Sequence, residues 1–328
     1  MAKALGVEPA AILDLSASLN PLAPPLKPVL SRHLDSGGRY PDTNGAQTAL
    51  AEAIGGDCRT RLVLTNGASE AIALVAAHLR TAAVVEPEFS LWRRHLDSVD
   101  PFAPRVRSNP NNPTGHLAAP YETAGAWDEA FYQLATGEWT RGEADKGAFV
   151  VGSLTKLFAC PGLRLGYVLA PTAEDAEQLA GRQVAWSVGG VAAAVLPDLL
   201  ERADLFNWAK GVAVLRQQLV GVLRVAGLEV DAADAPWVLV RGAQGLRESL
   251  ARLGVVIRDC TNFGMPGTYR IAVPGPSGIE RLALVLRQIG PFLEDVSPSE
   301  EAPGRARGRD VSPSEEAPGR ARGRRDTA

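Results

Sequence analysis

TRLVLTNGASEAIALVAAHLR (60–80) decides the fold of this 328-residue chain. Its first residues are apolar or β-branched, which predicts a buried strand, and the turn residues TNG follow. The rest carries apolar residues at helical spacing. The same alternation continues to about residue 200. The further elements that we expect are strands in TAAVVEPE (81–88), GAWDEAF (125–131), GAFVVGSL (147–154) and LRLGYVLAP (163–171), and a helix in AEDAEQLAGRQV (173–184). Such alternation favours an α/β fold with a mainly parallel sheet.

From about residue 205 the pattern changes. A long helix is predicted in NWAKGVAVLRQQLVGVLRVAG (207–227), and LEVDAADAPWVLVRG (228–242) is strand-like. The segments that follow are a helix in GLRESLARLG (245–254), strands in VVIRD (255–259) and YRIAVP (269–274), and a last helix in IERLALVLRQIG (279–290). This order predicts a smaller α+β domain that packs on the first.

The composition limits the class of protein. The chain is 46% hydrophobic and 22% charged, with a net charge of −3, which is typical of a globular protein with core enough for two domains. This balance gives no basis for binding nucleic acid, and no run of about 18 apolar residues predicts a membrane span. Because MAKALGVEPA lacks the apolar core of a signal peptide, we expect a cytoplasmic protein. Three separated cysteines (Cys58, Cys160, Cys260) predict neither disulfides nor a metal site.

The C-terminal segment is a repeat. DVSPSEEAPGRARGR (295–309) recurs almost unchanged from Asp310, and its only apolar residues are Val and Ala. Such a segment cannot bury enough apolar surface to offset the entropy lost on ordering, so we expect a disordered tail. Its acidic and arginine residues balance, which disfavours a nucleic-acid-binding role. The folded protein is expected to end near Leu293.

Lys156 draws attention because the chain has only five lysines among its 34 basic residues. It lies in SLTKLFACPGLRLG (153–166), among apolar and small residues. A desolvated lysine has a lowered pKa and becomes a usable amine, whereas arginine stays protonated in proteins. The segment therefore predicts amine chemistry at Lys156.

Several polar segments follow predicted strands, at the sheet edge where α/β proteins bind ligands. TNGASE (65–70) places small residues at a helix start, which favours a phosphate. SNPNNPTG (108–115) is a turn, and DEAF (128–131) begins with an acid in an apolar setting. Ser153 and Arg164 flank Lys156 and suit the other side of one phosphate. A phosphate site, a buried acid and a buried lysine together match pyridoxal 5'-phosphate.

With these motifs in order, residues 12 to 290 resemble the class I/II aminotransferase superfamily, whose fold is the pyridoxal-phosphate-dependent transferase fold type I. The resemblance implies a large domain with a mainly parallel sheet and a smaller α+β C-terminal domain. Its implied parts are an N-terminal arm and substrate segment (1–38), a large cofactor-binding domain (39–200), a small domain (201–293) and the repeat tail (294–328).

The resemblance also implies a role for each matching residue. The catalytic pair would be Lys156, which condenses with the cofactor aldehyde, and Asp128, which faces the pyridine nitrogen. The other implied contacts are Asn112 on the ring hydroxyl oxygen, Phe89 stacked on the ring, Ala68, Ser69, Ser153 and Arg164 on the phosphate, Tyr40 on the phosphate of a neighbouring subunit, and Arg270 on the substrate carboxylate. A homodimer is therefore expected. Each residue also has an ordinary structural interpretation, such as core packing for Phe89 or a solvated strand end for Arg270.

Two branches of the superfamily are most similar: histidinol-phosphate aminotransferases and the threonine-phosphate decarboxylases of cobalamin biosynthesis. LSASLNPLAPP (15–25) resembles the substrate segment of both. VVIRDCTNFGMPGTYRIAV (255–273) is closer to the decarboxylases, and it implies that Arg258 is a second cation for an anionic substrate. A lyase is therefore expected, and an aminotransferase is the alternative.

The chain departs from the family pattern at three points. Phe131 stands where a tyrosine is common, and Ser18 stands where the substrate segment usually has asparagine. The intervals from Trp92 to Asn109 and from Gly115 to Asp128 are short for a strand and a helix each. We expect one helix or strand to be missing, which leaves open a non-catalytic pyridoxal-phosphate-binding protein. A nucleotide enzyme is disfavoured because no GxxxxGK[ST] occurs.

Overall fold

Strands and helices alternate along the chain much as the sequence predicts. The computed structural model describes Glu8, residues 11–55 and residues 57–290, so the repeat tail lies outside the described residues. The strands are β1 (Leu13–Asp14), β2 (Leu62–Asn66), β3 (Thr81–Val84), β4 (Ser98–Val99), β5 (Arg105–Ser108), β6 (Ala126–Asp128), β7 (Phe149–Gly152), β8 (Leu165–Leu169), β9 (Glu229–Ala232), β10 (Trp237–Arg241), β11 (Val255–Val256), β12 (Arg258–Asp259) and β13 (Thr268–Ala272).

The helices cover the sheets. They are α1 (Leu26–Leu30), α2 (Asn44–Ile54), α3 (Gly67–Leu79), α4 (Leu91–His95), α5 (Tyr132–Thr136), α6 (Leu154–Leu157), α7 (Ala173–Ala180), α8 (Gly190–Leu200), α9 (Leu205–Val225), α10 (Leu246–Arg252) and α11 (Pro276–Ile289). None of the helices within the described residues is long and apolar enough to cross a membrane.

The largest sheet has seven strands in the order β2-β8-β7-β6-β5-β3-β4. The pairings β7–β6, β6–β5, β5–β3 and β3–β4 are parallel, and β8 is antiparallel to both of its neighbours. Strands β7 and β8 are buried on both faces, which explains their nearly continuous apolar sequences. The predicted α/β class with a mainly parallel sheet is confirmed.

Successive strand residues point to opposite faces of this sheet. Leu62 and Leu64 of β2 join a core cluster with α2 and α8, whereas Val63 joins a second cluster with α3 and α7. In β7, Val150 and Val151 divide in the same way. Burial of each such side chain stabilises the fold by about 1.5–3 kcal/mol, so the two clusters hold the strand ends in place.

A four-stranded antiparallel sheet, β12-β13-β10-β9, follows in the C-terminal part. Its apolar face packs in a third cluster with α9 and α11. The described residues all belong to one compact unit, Met1–Leu293, and the domain boundaries at 38 and 200 stay predictions.

Two expected strands differ from the structure. VVIRD (255–259) is not one strand, because β11 pairs with β1 in parallel while β12 pairs with β13. Ile257 lies between the two strands, and the chain changes sheets there. The strand expected in GAWDEAF ends at Asp128, and Phe131 precedes the first residue of α5. Phe131 therefore lies at the start of a helix and not on the expected strand.

The two short intervals keep their strands and lack long helices. The first contains β4 and β5 after the five-residue α4, and the second contains β6. Residues 109–125, all of which the structure describes, form turns without a helix. The shortening has therefore removed helix from this part of the fold and left the sheet continuous.

A stack of three side chains lies beside these turns. The Trp127 ring is fully buried, with the guanidinium carbons of Arg141 and Arg107 at 4.8 and 5.8 Å from its centroid. Nη2 of Arg141 donates to the carbonyls of Ala119, Pro120 and Glu122, at 2.9, 3.0 and 3.3 Å. Arg107 forms an ion pair with Glu122 at 2.9 Å. Arg141 therefore anchors the turns against the sheet.

We predict that Arg141→Met destabilises the protein by about 1.5–3 kcal/mol, because three carbonyls, two of them in part-buried bonds, lose a charged donor. The free energy of unfolding in urea measures this effect. Arg80→Met is the control, since Arg80 forms only an exposed ion pair with Asp97 and its loss should cost less than about 1 kcal/mol. Equal losses in the two variants would contradict the anchoring role.

Candidate active site

A cavity of about 260 Å³ lies at the carboxyl ends of β6 and β7 and the start of α3. Ten of the predicted site residues line it: Ala68, Ser69, Phe89, Asn112, Asp128, Ser153, Lys156, Arg164, Arg258 and Arg270. Their roles stay predictions, but residues that are far apart in sequence meet in one place. Sequence reasoning missed Ser16, Thr155 and Phe263, which also line the cavity.

Lys156 lies in α6, directly after β7 ends at Gly152. Its Nζ is 5.8 Å from the centroid of the Phe131 ring. Burial lowers the pKa of Lys156, Arg270 and Arg164 lower it further, and Asp128 opposes them. Three of these four effects favour a neutral amine, which is the form that can act as a nucleophile or base.

The start of α3 faces Arg164. Gly67 has a φ of +72°, and a Cβ on it would lie 2.3 Å from Nη2 of Arg164. The guanidinium therefore lies directly beside the backbone of Gly67, the first residue of α3. On the other side, the hydroxyls of Ser153 and Thr155 are 2.9 Å apart. Helix N–H groups, hydroxyls and a guanidinium in one place suit a phosphate group.

Asp128 ends β6 and is 5% exposed. Its Oδ1 accepts a hydrogen bond from the N–H of Ala130 at 3.0 Å. Burial raises the pKa of Asp128 to about 7; the Ala130 N–H opposes this rise, Glu88 adds to it, and Lys156 opposes it. A cationic partner would stabilise the ionised form of this buried carboxyl group, and a protonated pyridine nitrogen is such a partner.

Arg270, in β13, is 8% exposed. Its Nη1 donates to Oδ1 of Asn112 at 2.6 Å, and its Nη2 donates to the carbonyl of Ser16 at 3.2 Å. Its Nε has no hydrogen-bond partner within the described part of the chain. Burial lowers the pKa of Arg270 to about 10. The guanidinium thus keeps donor capacity for an anion in the cavity.

Arg258 lies opposite Arg270 in the antiparallel pair of β12 and β13. Directly opposed residues of two strands project to the same face of a sheet, and like charges there repel. Arg258 is exposed, and its guanidinium carbon is 5.7 Å from the Phe263 ring. The cavity therefore carries a buried and an exposed arginine side by side.

The N-terminal segment reaches Lys156 as well. The N–H of Asn20 donates to the carbonyl of Lys156 at 3.0 Å, and its side chain donates to Leu157 at 2.9 Å. Ser18 is 1% exposed, and its hydroxyl has no partner among the described residues. Asn20 thus holds the middle of the segment 15–25 beside α6, and the resemblance implies that this segment binds substrate.

Tyr40 is the one predicted site residue that does not line the cavity. It is 79% exposed, and its ring stacks on Trp186 with centroids 4.4 Å apart. The role implied for it lies across a subunit boundary, so it stays a prediction.

The residues present fit pyridoxal phosphate. The donors around Gly67 suit its phosphate, Asp128 suits its pyridine nitrogen, and Lys156 lines the same cavity. The side chain of Phe89 lines the same cavity and offers a ring to stack on.

The family model for aminotransferase class I and II matches residues 106–286. The chain belongs to this family. Threonine-phosphate decarboxylase of Salmonella typhimurium is 29% identical to it over 91% of this chain and 96% of that protein. Histidinol-phosphate aminotransferase 1 of Cupriavidus pinatubonensis is 28% identical over 84% and 88%.

Solved structures agree on the fold. The histidinol-phosphate aminotransferase of Sinorhizobium meliloti, in complex with pyridoxal-5'-phosphate, superposes with a TM-score of 0.75. It is 17% identical and covers 88% of this chain and 94% of its own. The fold-type I assignment and the pyridoxal phosphate cofactor are confirmed.

We predict that Lys156 is the lysine that bonds to the cofactor. Borohydride reduction of the holoprotein, followed by peptide mapping, should recover the pyridoxyl label on Lys156. The exposed Lys146 and Lys210 are internal controls, and label on either would contradict the assignment. The Lys156→Ala protein should still bind the cofactor, should release it on dialysis, and should lose turnover.

We also predict that the cofactor-free protein loses stability as pH rises through about 7. The folded pKa of Asp128, about 7, lies above its ordinary value of 3.8, so the neutral form favours the folded state and ionisation removes that stability. Urea unfolding between pH 5 and 8.5 measures the slope. Asp128→Asn should reduce it; Glu129, whose pKa burial raises to about 7, and Glu88, whose pKa burial also raises, contribute to what remains. An unchanged slope in Asp128→Asn would contradict this assignment.

Proposed function

We propose that this enzyme decarboxylates O-phosphothreonine or a close phosphorylated amino acid, as a threonine-phosphate decarboxylase does in cobalamin biosynthesis. The observation that carries the proposal is the pair Arg258 and Arg270, which face one cavity from directly opposed strand positions. Two adjacent cations repel, and a substrate with two anionic groups relieves that repulsion.

The two arginines suit different anions. The buried Arg270 presents a planar donor group beside Lys156, which suits the carboxylate on the reacting carbon. The exposed Arg258 suits the more strongly hydrated phosphate, which can stay partly in water. Histidinol phosphate has no carboxylate and would leave Arg270 buried without an anion. An unpaired buried charge costs several kcal/mol, which is enough to discriminate between substrates.

When bound, pyridoxal phosphate withdraws electrons from the bond that breaks at the substrate Cα. The residues of this chain then decide which bond breaks. Arg270 and Arg258 fix the carboxylate and the phosphate, so the bond to the carboxylate is held in the reactive orientation. That bond breaks, carbon dioxide leaves, and Lys156 delivers to Cα a proton that its amine has first taken from solvent. Asp128 keeps a negative charge beside the pyridine nitrogen.

The alternative is a histidinol-phosphate or other amino-acid aminotransferase. It is supported by a relative of that kind that is 28% identical, against 29% for the decarboxylase. In that reaction Lys156 would move a proton from Cα, and Arg270 alone would hold the carboxylate of an amino or keto acid.

The two reactions differ in their need for a keto acid. We expect the holoprotein to release carbon dioxide from O-phosphothreonine when no keto acid is present. Turnover that requires 2-oxoglutarate and forms glutamate would favour the aminotransferase. No turnover of O-phosphothreonine, with or without 2-oxoglutarate, would favour a non-catalytic pyridoxal-phosphate-binding protein.

A matched pair of variants tests the phosphate site. Arg258→Gln should raise the KM for O-phosphothreonine by about tenfold to a hundredfold, the range for a lost hydrogen bond to a charged group. It should change the KM for threonine much less. Arg247→Gln is the control, because Arg247 is charged and lies outside the cavity.

We further propose a two-fold dimer in which Tyr40 reaches the phosphate of the neighbouring subunit. Mixing Tyr40→Ala protein with Lys156→Ala protein tests this sharing. A hybrid dimer then has one intact site, with Lys156 from one chain and Tyr40 from the other. Subunit exchange should restore about a quarter of the wild-type activity, because half of the dimers are hybrids with one working site. No recovery despite exchange, or an active monomer in sedimentation, would contradict the shared site.

A further inference from the structure

Glu88 is a buried acid next to the cavity that the roles above leave unused. It lies between β3 and α4 and is 2% exposed. Its carboxylate oxygens accept hydrogen bonds from the N–H of Phe89 at 2.7 Å and from the N–H of Ser108 at 3.0 Å. They also accept from the hydroxyl of Ser108. Three donors thus converge on one carboxylate.

These bonds fix the direction of a longer chain. The Ser108 hydroxyl has one hydrogen and gives it to Glu88, so its oxygen is left to accept the N–H of Asn112 at 3.3 Å. Asn112 in turn accepts Nη1 of Arg270 through Oδ1 at 2.6 Å. Its side-chain NH₂ group therefore remains as the donor for the cavity. A continuous set of hydrogen bonds joins Glu88 to Arg270.

We propose that Glu88 is a positioning residue that holds Asn112 and Arg270 in place through Ser108, without touching the cofactor or the substrate itself. The proposal rests on the family and its cofactor, and it is independent of which reaction the enzyme catalyses. Removing Glu88 should weaken binding of the cofactor, through Asn112, and binding of the substrate carboxylate, through Arg270.

The charged groups that face Glu88 are Asp128, Arg105 and Arg107. Burial raises the pKa of Glu88, and the three hydrogen-bond donors and Arg105 oppose that rise. Both carboxyl oxygens accept from backbone N–H groups, and one of them also accepts the Ser108 hydroxyl. The arrangement therefore suits the carboxylate. A glutamine at position 88 keeps the shape of the side chain but places an NH₂ group opposite one of those N–H donors. Two donors then face each other, and the hydrogen bond between them is lost.

The test measures cofactor affinity of the cofactor-free protein by equilibrium titration, which needs no turnover. Glu88→Gln should raise the Kd for pyridoxal phosphate by roughly tenfold to a hundredfold, the loss expected for a hydrogen bond to a charged group. Ser108→Ala should raise it by about three- to tenfold, because Glu88 keeps its two backbone donors. Glu177→Gln, the same change at an exposed position of α7, should leave the Kd unchanged.

Two further measurements separate positioning from a general loss of structure. The double variant of Glu88→Gln and Ser108→Ala should bind no more than about twofold worse than Glu88→Gln alone, because both changes break one chain of bonds. With saturating cofactor, Glu88→Gln should raise KM for the amino-acid substrate more than it lowers kcat, since Arg270 acts in binding.

Additive losses in the double variant, or a Kd within twofold of wild type in Glu88→Gln, would overturn the proposal. If Glu88→Gln fails to fold, Ser108→Ala decides alone: an unchanged Kd would overturn the proposal. A protein without decarboxylase activity would still give these binding results, so failure of the proposed reaction and failure of this inference are distinguishable.

Discussion

The structure depends on holding charged side chains of both signs in one small cavity, where they do not form ion pairs with one another. Asp128 and Arg270 are both nearly buried, yet their hydrogen bonds go to an N–H group and to amide oxygens, not to one another. Such an arrangement opposes folding, because buried charges without ionic partners lose hydration. The large apolar clusters on both sheet faces provide the compensating stability. The cofactor and the proposed anionic substrate would supply charges of the missing sign.

The shortened chain shows which parts of the fold the site needs. Every strand whose end contributes to the cavity is present, and the shortening falls on helix in the intervals around β5 and β6. Turns pinned by Arg141 occupy residues 117–125 beside β6. Strand order fixes the relative positions of Asn112, Asp128 and Lys156, whereas a covering helix only excludes water. Turns that exclude water and whose carbonyls are hydrogen-bonded can therefore replace such a helix.

Local motifs made much of the site predictable. A few neighbouring residues were enough to predict a chemical role for Lys156, Asp128 and the TNGASE segment. The structure brings all three to one cavity. Glu88 was missed because its partner Ser108 is 20 residues away, and only the parallel pairing of β3 with β5 brings the two together. The division of VVIRD (255–259) was missed for a similar reason, since its strands pair with distant segments. Long-range pairing, not local propensity, decides such contacts.

The antiparallel pairing of β12 with β13 also affects which substrate can bind. In antiparallel strands, directly opposed Cα atoms lie roughly 4.5–5.5 Å apart, so the backbone fixes the origin of the Arg258 and Arg270 side chains relative to each other. Arg270 is further tied to Asn112 and to Ser16, which leaves it little freedom. Arg258 is exposed, and its guanidinium lies against the Phe263 ring. Under the proposed function, Arg270 would therefore hold the substrate carboxylate in a fixed position, and the reach of the Arg258 side chain would decide which length of substrate fits. A short phosphorylated amino acid would place its two anions within that reach.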